Sequence, residues 1–277
     1  MMFRAVRVAA IATALVATAM QPGVAAAAQA ETAPGGRQAP GRIVIDAAQG
    51  IEWLRKKRVV IARGDTRAVQ GQQEVRADVL TARYRERPDG SAEVWRIDAE
   101  GHVRFASPSA SAFGEYATYD IDKQLVTISG GEQVSVTTPT SRITARQIDY
   151  DMRARTLIAR GRAAAEEENR RLSGDVITVH LRERTDGQSP LQRLEAQRDV
   201  HLMTPDEDIR ADRGTYDLDS GIATLDGSVR IVKGNNELNG CRGEINLKTG
   251  VSKLIAWRGE ADGRVHGIIL PETPGKH

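Results

Sequence analysis

Acidic residues recur at two places in this chain where they could bind a metal ion. In one set Asp or Glu stands next to a small residue, and in the other Asp follows Tyr. The sets are Asp78, Glu115, Asp175 and Asp212, and then Asp120, Asp151 and Asp217. Ca²⁺ prefers such oxygen ligands. However, the glycine-rich repeat of calcium-binding arrays is missing, and Arg146 and Cys241 fill equivalent positions elsewhere. We therefore predict turn formation and no metal site.

The potential nucleophiles and bases do not form the pattern of an enzyme. The His residues are scattered and never paired at ligand spacing: His102, His180, His201, His266 and His277. No Ser/His/Asp order, paired-carboxylate motif or phosphate-cradling glycine loop occurs in a supporting context. The single Cys241 cannot form an internal disulfide. We predict no catalytic residues, no cofactor and no enzymatic activity.

The densest basic run consists of Arg55, Lys56, Lys57 and Arg58. Such a run is usually a solvated turn. It could instead meet the phosphates of a lipid head group or the acidic edge of a partner. The acidic runs 166–168 and 206–208 are predicted to be exposed turns.

These residues are positioned by a repeated β-hairpin. In each unit an apolar strand position is followed 11 residues later by a small residue. The pairs are Thr66/Ala77, Val103/Gly114, Val134/Ala145, Ala163/Gly174, Val200/Ala211 and Val229/Gly240. Another recurrent position lies five residues further on, at Ala82, Tyr119, Tyr150, Val179, Tyr216 and Ile245. One hairpin cannot bury its own apolar face, so the repetition predicts a stack of hairpins.

The units are also organised in a larger duplication. Residues 85–90 match 182–187 at an offset of 97, and the same offset relates Val103, Phe105, Ser107 and Pro108 to Val200, Leu202, Thr204 and Pro205. Residues 163–171 have helical composition but fall where a strand is due, so we predict a strand there.

The predicted fold class is all-β. A β-solenoid with one coil per unit fits, and so does a twisted open jelly roll of two facing sheets. Tight turns at 219–221 and 248–250 favour hairpins, and hence the jelly roll.

Alternation predicts an inward apolar face, which is either a closed core or partly open to a ligand. Its members are Val103, Phe105, Tyr119, Ile121, Val134, Val136, Tyr150, Val200, Leu202, Tyr216, Leu218, Val229, Ile231, Ile245 and Leu247.

The start of the chain predicts export. Residues 1–28 combine Arg4 and Arg7, an apolar stretch and a small-residue cleavage site, which is typical of a signal peptide; a membrane anchor is the alternative. Residues 29–41 are expected to be a flexible lead-in, 42–270 the repeat region and 271–277 a disordered tail.

The chain without its signal peptide is formally neutral, because 37 acidic residues balance the remaining basic ones. This balance argues against nucleic acid as a partner.

The last units resemble a known family. Residues 227–240 and 245–250, together with Ile209, Ala211, Tyr216 and Asp217, are similar to the OstA-like repeat of the periplasmic lipopolysaccharide-transport (LptA) family. The resemblance extends over about residues 43–256.

This resemblance implies a V-shaped, twisted β-jelly roll whose interior shields acyl chains. It implies a periplasmic bridge protein that carries lipopolysaccharide from the inner to the outer membrane. The implied partners are an inner-membrane exporter component and an outer-membrane translocon, reached through sheet edges, and further copies stacked end to end. Two alternatives stay open: an exported β-solenoid that binds or cleaves polysaccharide, and the membrane-partner paralogue of the same transport system.

Overall fold

The computed structural model describes residues 43–182, 191–246, 248–249, 251–255 and 266–268, and this part of the chain is almost entirely β-strand. The strands are β1 (Ile43–Asp46), β2 (Gly50–Leu54), β3 (Val59–Gln70), β4 (Gln73–Glu86), β5 (Ala92–Ala106), β6 (Ser111–Asp120), β7 (Leu125–Thr137), β8 (Ser141–Asp151), β9 (Thr156–Glu167), β10 (Arg170–Leu181), β11 (Leu191–Met203), β12 (Asp208–Asp217), β13 (Ile222–Lys233), β14 (Asn236–Asn246), β15 (Val251–Ile255) and β16 (His266–Ile268). A single 3₁₀ turn, Arg55–Lys57, joins β2 to β3.

The all-β prediction is confirmed by this element content. The described part of the chain contains no helix that is long and apolar enough to span a membrane. The predicted signal segment, lead-in and C-terminal tail lie outside the described residues, so these predictions stand as made.

The chain divides into two compact units. Among the described residues, the N-terminal unit comprises 43–139 and 146–155, and the C-terminal unit comprises 140–145 and everything from 156 onward. In the N-terminal unit β1 and β2 pair with β3, and β3 to β7 follow one another as antiparallel neighbours. In the C-terminal unit β9 to β15 do the same, and β16 pairs with β14.

The hairpin register follows from the 11-residue spacing. Thr66 lies opposite Ala77, and Val103 lies opposite Gly114. The C-terminal unit repeats the arrangement at Ala163/Gly174, Val200/Ala211 and Val229/Gly240. The small residue is therefore the direct cross-strand partner of the first apolar position, where a larger side chain would compete for the same space.

Every second strand from β3 to β13 bends at two consecutive residues in the left-handed region. Their φ angles lie between 40° and 90° at Gly64/Asp65, Gly101/His102, Gly130/Gly131, Gly161/Arg162, Arg198/Asp199 and Gly227/Ser228. The pairing register shifts at these points, as in a β-bulge. Because bulges bend strands and increase their twist, one strand can contribute to both sides of a jelly roll.

The core of the N-terminal unit lies around these bends. Ala62, Leu80 and Ala99 come from the strand segments on one side of the bend, and they pack with Ala77 and Val103 from the other side. In the C-terminal unit the most deeply buried side chains include Ile177, Val179, Leu191 and Val229. The jelly-roll prediction is confirmed because both halves of the bent strands turn their apolar faces to one core.

The stretch with helical composition, residues 163–171, is β-structure as predicted, but a turn divides it into the end of β9 and the start of β10. Ala163, Ala164 and Ala165 lie in β9 and are almost fully buried, and the turn falls at Glu168 and Asn169. The expectation that residues 166–168 form an exposed turn is wrong for Glu167, which is only 8% exposed at the end of β9. Alternation along the strand turns this side chain to the same face as Ala163 and Ala165.

Candidate functional site

The predicted inward face contains a buried set and a half-buried set. Val103, Val134, Val136, Tyr150, Val200 and Val229 are at most 4% exposed. The half-buried set consists of Phe105, Tyr119, Ile121, Leu202, Tyr216, Leu218, Ile231 and Ile245. Leu247 lies outside the described residues. Three of the buried residues, Val103, Val200 and Val229, directly follow a bend, and the half-buried Phe105, Leu202 and Ile231 lie two residues further along the same strands.

Strand pairing brings the half-buried residues into continuous apolar rows. In the C-terminal unit Leu202 lies opposite Ile209, Ile209 opposite Ile231, and Ile231 opposite Leu238. Cross-strand partners point to the same face of a sheet, so the four side chains form one row. The N-terminal unit has a similar row, formed by Val75, Phe105, Ala112 and Val136.

A second row lies on the other side of the bends. In the C-terminal unit Leu194, Tyr216, Ala223 and Ile245 are successive partners. In the N-terminal unit Ile97, Tyr119 and Val126 are successive partners. Burial raises the pKa of the Tyr119, Tyr150 and Tyr216 phenols, so these hydroxyls stay neutral in their apolar surroundings.

The acids that follow tyrosine hold the hairpin turns. The carboxylate of Asp120 accepts a hydrogen bond of 2.9 Å from the backbone N–H of Lys123, that of Asp151 one of 2.8 Å from Ala154, and that of Asp217 one of 2.8 Å from Ser220. Backbone and side-chain hydrogen bonds from Ser220 lower the pKa of Asp217. These acids therefore have the turn-forming role that their positions predicted.

The acids next to the small residues lie against the bends. A methyl group at Gly101 would overlap the carboxylate of Asp78, and one at Gly227 would overlap that of Asp212. Asp175 instead forms a 2.7 Å ion pair with Arg198, which occupies the bend position itself. No group of three or more metal-ligating side chains occurs in the part of the chain with described positions.

The predicted basic run lies on the turn between β2 and β3, at the edge of the N-terminal unit. All four side chains are exposed. Arg58 is 3.7 Å from Glu86, and the Arg55 guanidinium lies 5.0 Å from the centre of the Trp53 ring. The turn is thus solvated, and its assignment to a head group or a partner remains a prediction.

One class of inward-facing residue escaped the sequence-based prediction. Leu80, Ile148 and Ile177 are at most 6% exposed and stand three positions after the small residue of their hairpin repeats. The small residue and the position five beyond it were recognised, but this intermediate position was not. Alternation from the small residue does not reach this position, because the inward pattern breaks between the two, as it does opposite the bend of β3.

Comparisons with known proteins agree with this architecture. The family described as LptA/(LptD N-terminal domain) LPS transport protein matches twice, over residues 45–156 and 142–251. The second match begins 97 residues after the first, which is the offset of the internal duplication. No curated protein sequence matches the chain.

A solved structure similar to this chain is LptH from Pseudomonas aeruginosa, the LptA-homologous periplasmic component of its lipopolysaccharide transport device. The identity is 18% and the TM-score 0.37, over 43% of this chain and 82% of LptH. The family matches together extend over residues 45–251, well beyond half of the chain. The chain belongs to the LptA/LptD N-terminal-domain family of lipopolysaccharide transport proteins, and it contains two successive copies of the family's domain.

Proposed function

We propose that this protein is a periplasmic bridge that binds lipopolysaccharide, shields its acyl chains and carries it from the inner to the outer membrane. The observation that carries the proposal is the row of Leu202, Ile209, Ile231 and Leu238. Three of its four members remain half-buried although they lie on the inward face. Such a row has apolar surface left for a ligand, whereas a closed core would not.

Acyl chains would bind through the hydrophobic effect. Each methylene group removed from water contributes about 0.8 kcal/mol, so a few acyl chains on this face supply ample binding energy. The neutral phenols of Tyr119 and Tyr216 fit the same environment because they add apolar area without a charge. No covalent step is involved, because acyl chains bind and leave as apolar contacts form and break.

Transfer between components would occur through the outer strands. Within the described residues β2 pairs only with β3, and β15 pairs only with β14. An outer strand presents unpaired N–H and C=O groups that can accept a strand from another protein. The inner-membrane exporter component, the outer-membrane translocon and further copies of this chain are the partners that we propose for these edges. The same proposal includes export to the periplasm, directed by residues 1–28, which are then removed by cleavage.

Site-specific photo-crosslinking in cells tests this function. A photoreactive amino acid at Phe105, Leu202 or Ile231 is expected to give lipopolysaccharide adducts. The same amino acid at Arg83 or Arg142, both exposed, is the matched control and is expected to give none. Equal labelling at all five positions, or adducts at none, would contradict the proposal. Degradation of a glycan by the pure protein would favour the polysaccharide alternative.

A second candidate is favoured by the family description itself, which includes the N-terminal domain of LptD. The chain would then act as the soluble part of a translocon. Membrane fractionation separates the two functions. A bridge protein is recovered in the periplasmic fraction, whereas a translocon component stays with the outer membrane after osmotic release.

A further inference from the structure

The inward apolar rows of the N-terminal unit end in solvent at β2. Ile51 is the cross-strand partner of Ala62, which is the partner of Leu80; Trp53 is likewise the partner of Val60, and Val60 that of Ala82. Ile51 and Trp53 therefore continue the rows of the inward face. Yet Ile51 is 51% exposed and Trp53 is 60% exposed. The apolar face is thus open at this edge.

The edge formed by β15 has the opposite character. Leu254, on the inward side of β15, packs over Gly240 and is half-buried. The exposed apolar residues of β15, Val251 and Ile255, are the partners of Asn246 and Arg242 and so lie on the other face. Among the described residues of these two edges, large exposed apolar side chains from the inward face occur only on β2.

Trp53 is held in place rather than loosely exposed. Its indole N–H donates a 2.8 Å hydrogen bond to the hydroxyl of Tyr84, whose ring meets it edge-on at 6.4 Å. Arg55 covers the ring with its guanidinium, 5.0 Å from the ring centre. Such an indole offers a fixed apolar surface beside a cation, a combination common where lipid meets water.

Cations of the turn lie directly beside this apolar surface. Lys56 and Lys57 are exposed, and within the described ranges no ion pair involves them. The nearby acids are engaged elsewhere: Glu52 lies 3.7 Å from Arg63, and Glu86 lies 3.7 Å from Arg58. The described part of β15 carries Lys253 and no carboxylate, so a second copy of this chain would not supply the complementary charge.

We propose that β2 and the turn Arg55–Lys57 form a port for a phosphorylated lipid at the end of the apolar face. An acyl chain lies on Ile51 and Trp53, and a head-group phosphate is bound by Arg55, Lys56 and Lys57. Lipid enters or leaves the inward face at this edge. This inference rests on the proposed lipopolysaccharide binding, and it assigns roles to Ile51 and Trp53 that the basic run alone does not imply.

The test compares the binding of diphosphorylated and dephosphorylated lipid A by the full chain, purified from the periplasmic fraction. We expect Lys56→Glu/Lys57→Glu to weaken binding of the diphosphorylated lipid about tenfold or more, because two cations that attract the anionic head group are replaced by anions that repel it. Binding of the dephosphorylated lipid is expected to change little. Ile51→Asn is expected to weaken binding of both lipids, because it removes exposed apolar surface without touching the core.

Arg142→Glu/Arg146→Glu is the matched control, since both side chains are exposed cations away from β2. Two results would contradict the port: equal losses of lipid binding in the two double variants, or equal binding of the diphosphorylated and dephosphorylated lipids by the unaltered protein. If Leu202 crosslinks still form in either case, the proposed function itself is not contradicted. Loss of the Leu202 crosslinks in the unaltered protein would instead contradict the proposed function itself. Full competition by millimolar inorganic phosphate would also overturn the port, because the site would then bind phosphate rather than lipid. A change in sedimentation of the lipid-free Lys56→Glu/Lys57→Glu variant would overturn it in favour of a protein partner.

Discussion

Arg182 donates a hydrogen bond of 2.8 Å to the carboxylate of Asp219, 37 residues further along the chain. Arg85 donates one of 2.7 Å to Asp122 across the same separation. The two turns are also held from the following hairpin, since Arg153 and Lys248 donate to the backbone carbonyls of Asp122 and Asp219 respectively. The internal duplication has thus preserved a clamp on an equivalent turn in each unit.

The clamp in the C-terminal unit is expected to contribute more to stability. The Arg182 side chain is 23% exposed and that of Arg85 is 46% exposed, so solvent screens the Arg85 guanidinium more strongly. Arg182→Ala should lower the free energy of unfolding of its unit by about 1 kcal/mol, and Arg85→Ala should have a smaller effect. Urea unfolding checks this. A larger loss for Arg85→Ala would contradict the ranking.

Replacing a bend glycine should be costly for two reasons. Gly101 has a φ of 75°, and an added methyl group would overlap the Asp78 carboxylate. We expect Gly101→Ala to destabilise the protein by about 2 kcal/mol or more, combining backbone strain with the overlap. Gly90 has a φ of 81° with open space around it, so Gly90→Ala isolates the backbone cost. Thermal melting of the two variants compares them, and equal losses would exclude a contribution from Asp78.

The bend at His102 should respond to pH. His102 lies 2.9 Å from Asp78, and this hydrogen bond raises the pKa of the imidazole. A raised pKa in the folded state means that this pair stabilises the protein fully below the ordinary histidine pKa of about 6.5. The stabilisation is lost as the pH rises through the folded-state value.

Asp78→Asn is therefore expected to destabilise the protein at pH 6 more than at pH 8.5. NMR titration of His102 should show its pKa falling towards the ordinary value in this variant. Asp212→Asn is the matched control, because Asp212 faces Gly227 at an equivalent bend and has no histidine there. The same pH dependence in both variants would contradict the role of His102.

Thr66 occupies a position that is valine in four of the other five hairpin repeats. It is fully buried, and its hydroxyl donates a 2.7 Å hydrogen bond to the carbonyl of Ala77. Thr66→Val keeps the volume and follows the repeat, so we expect a change within about 1 kcal/mol. Thr66→Ala leaves a cavity as well and should cost about 1–2 kcal/mol more. Chemical denaturation of the two variants measures the difference, and an equal cost would show that the hydrogen bond outweighs packing.

Much of the fold followed from spacing in the sequence. The 11-residue interval predicted the repeated hairpins, and in the structure it separates direct cross-strand partners such as Val200 and Ala211. The offset of 97 predicted the duplication, and Tyr119 and Tyr216, which are related by this offset, lie in corresponding rows. These features could be predicted because hairpin pairing is local and has a fixed period of two.

The positions that alternation missed lie beyond the bends. On β4 the inward residues are Ala77, Leu80 and Ala82, so the period is broken once between the first two. This break lies opposite the bend of β3, where β3 contains one residue more than β4 and the pairing register shifts. The burial of Glu167 has a related origin, because its charge suggested exposure while its place on β9 decided otherwise.

The sequence by itself determined the strands, their register, the turns and the repeat, because each depends on residues close together in one hairpin. Only the tertiary structure decided how far each apolar side chain is covered. Val103 and Phe105 belong to the same alternating run, yet the first is buried at the bend and the second is half-buried. Trp53, at the outer strand, remains mostly in solvent. Burial depends on which strands lie opposite and where the stack of strands ends, and the alternating pattern contains neither.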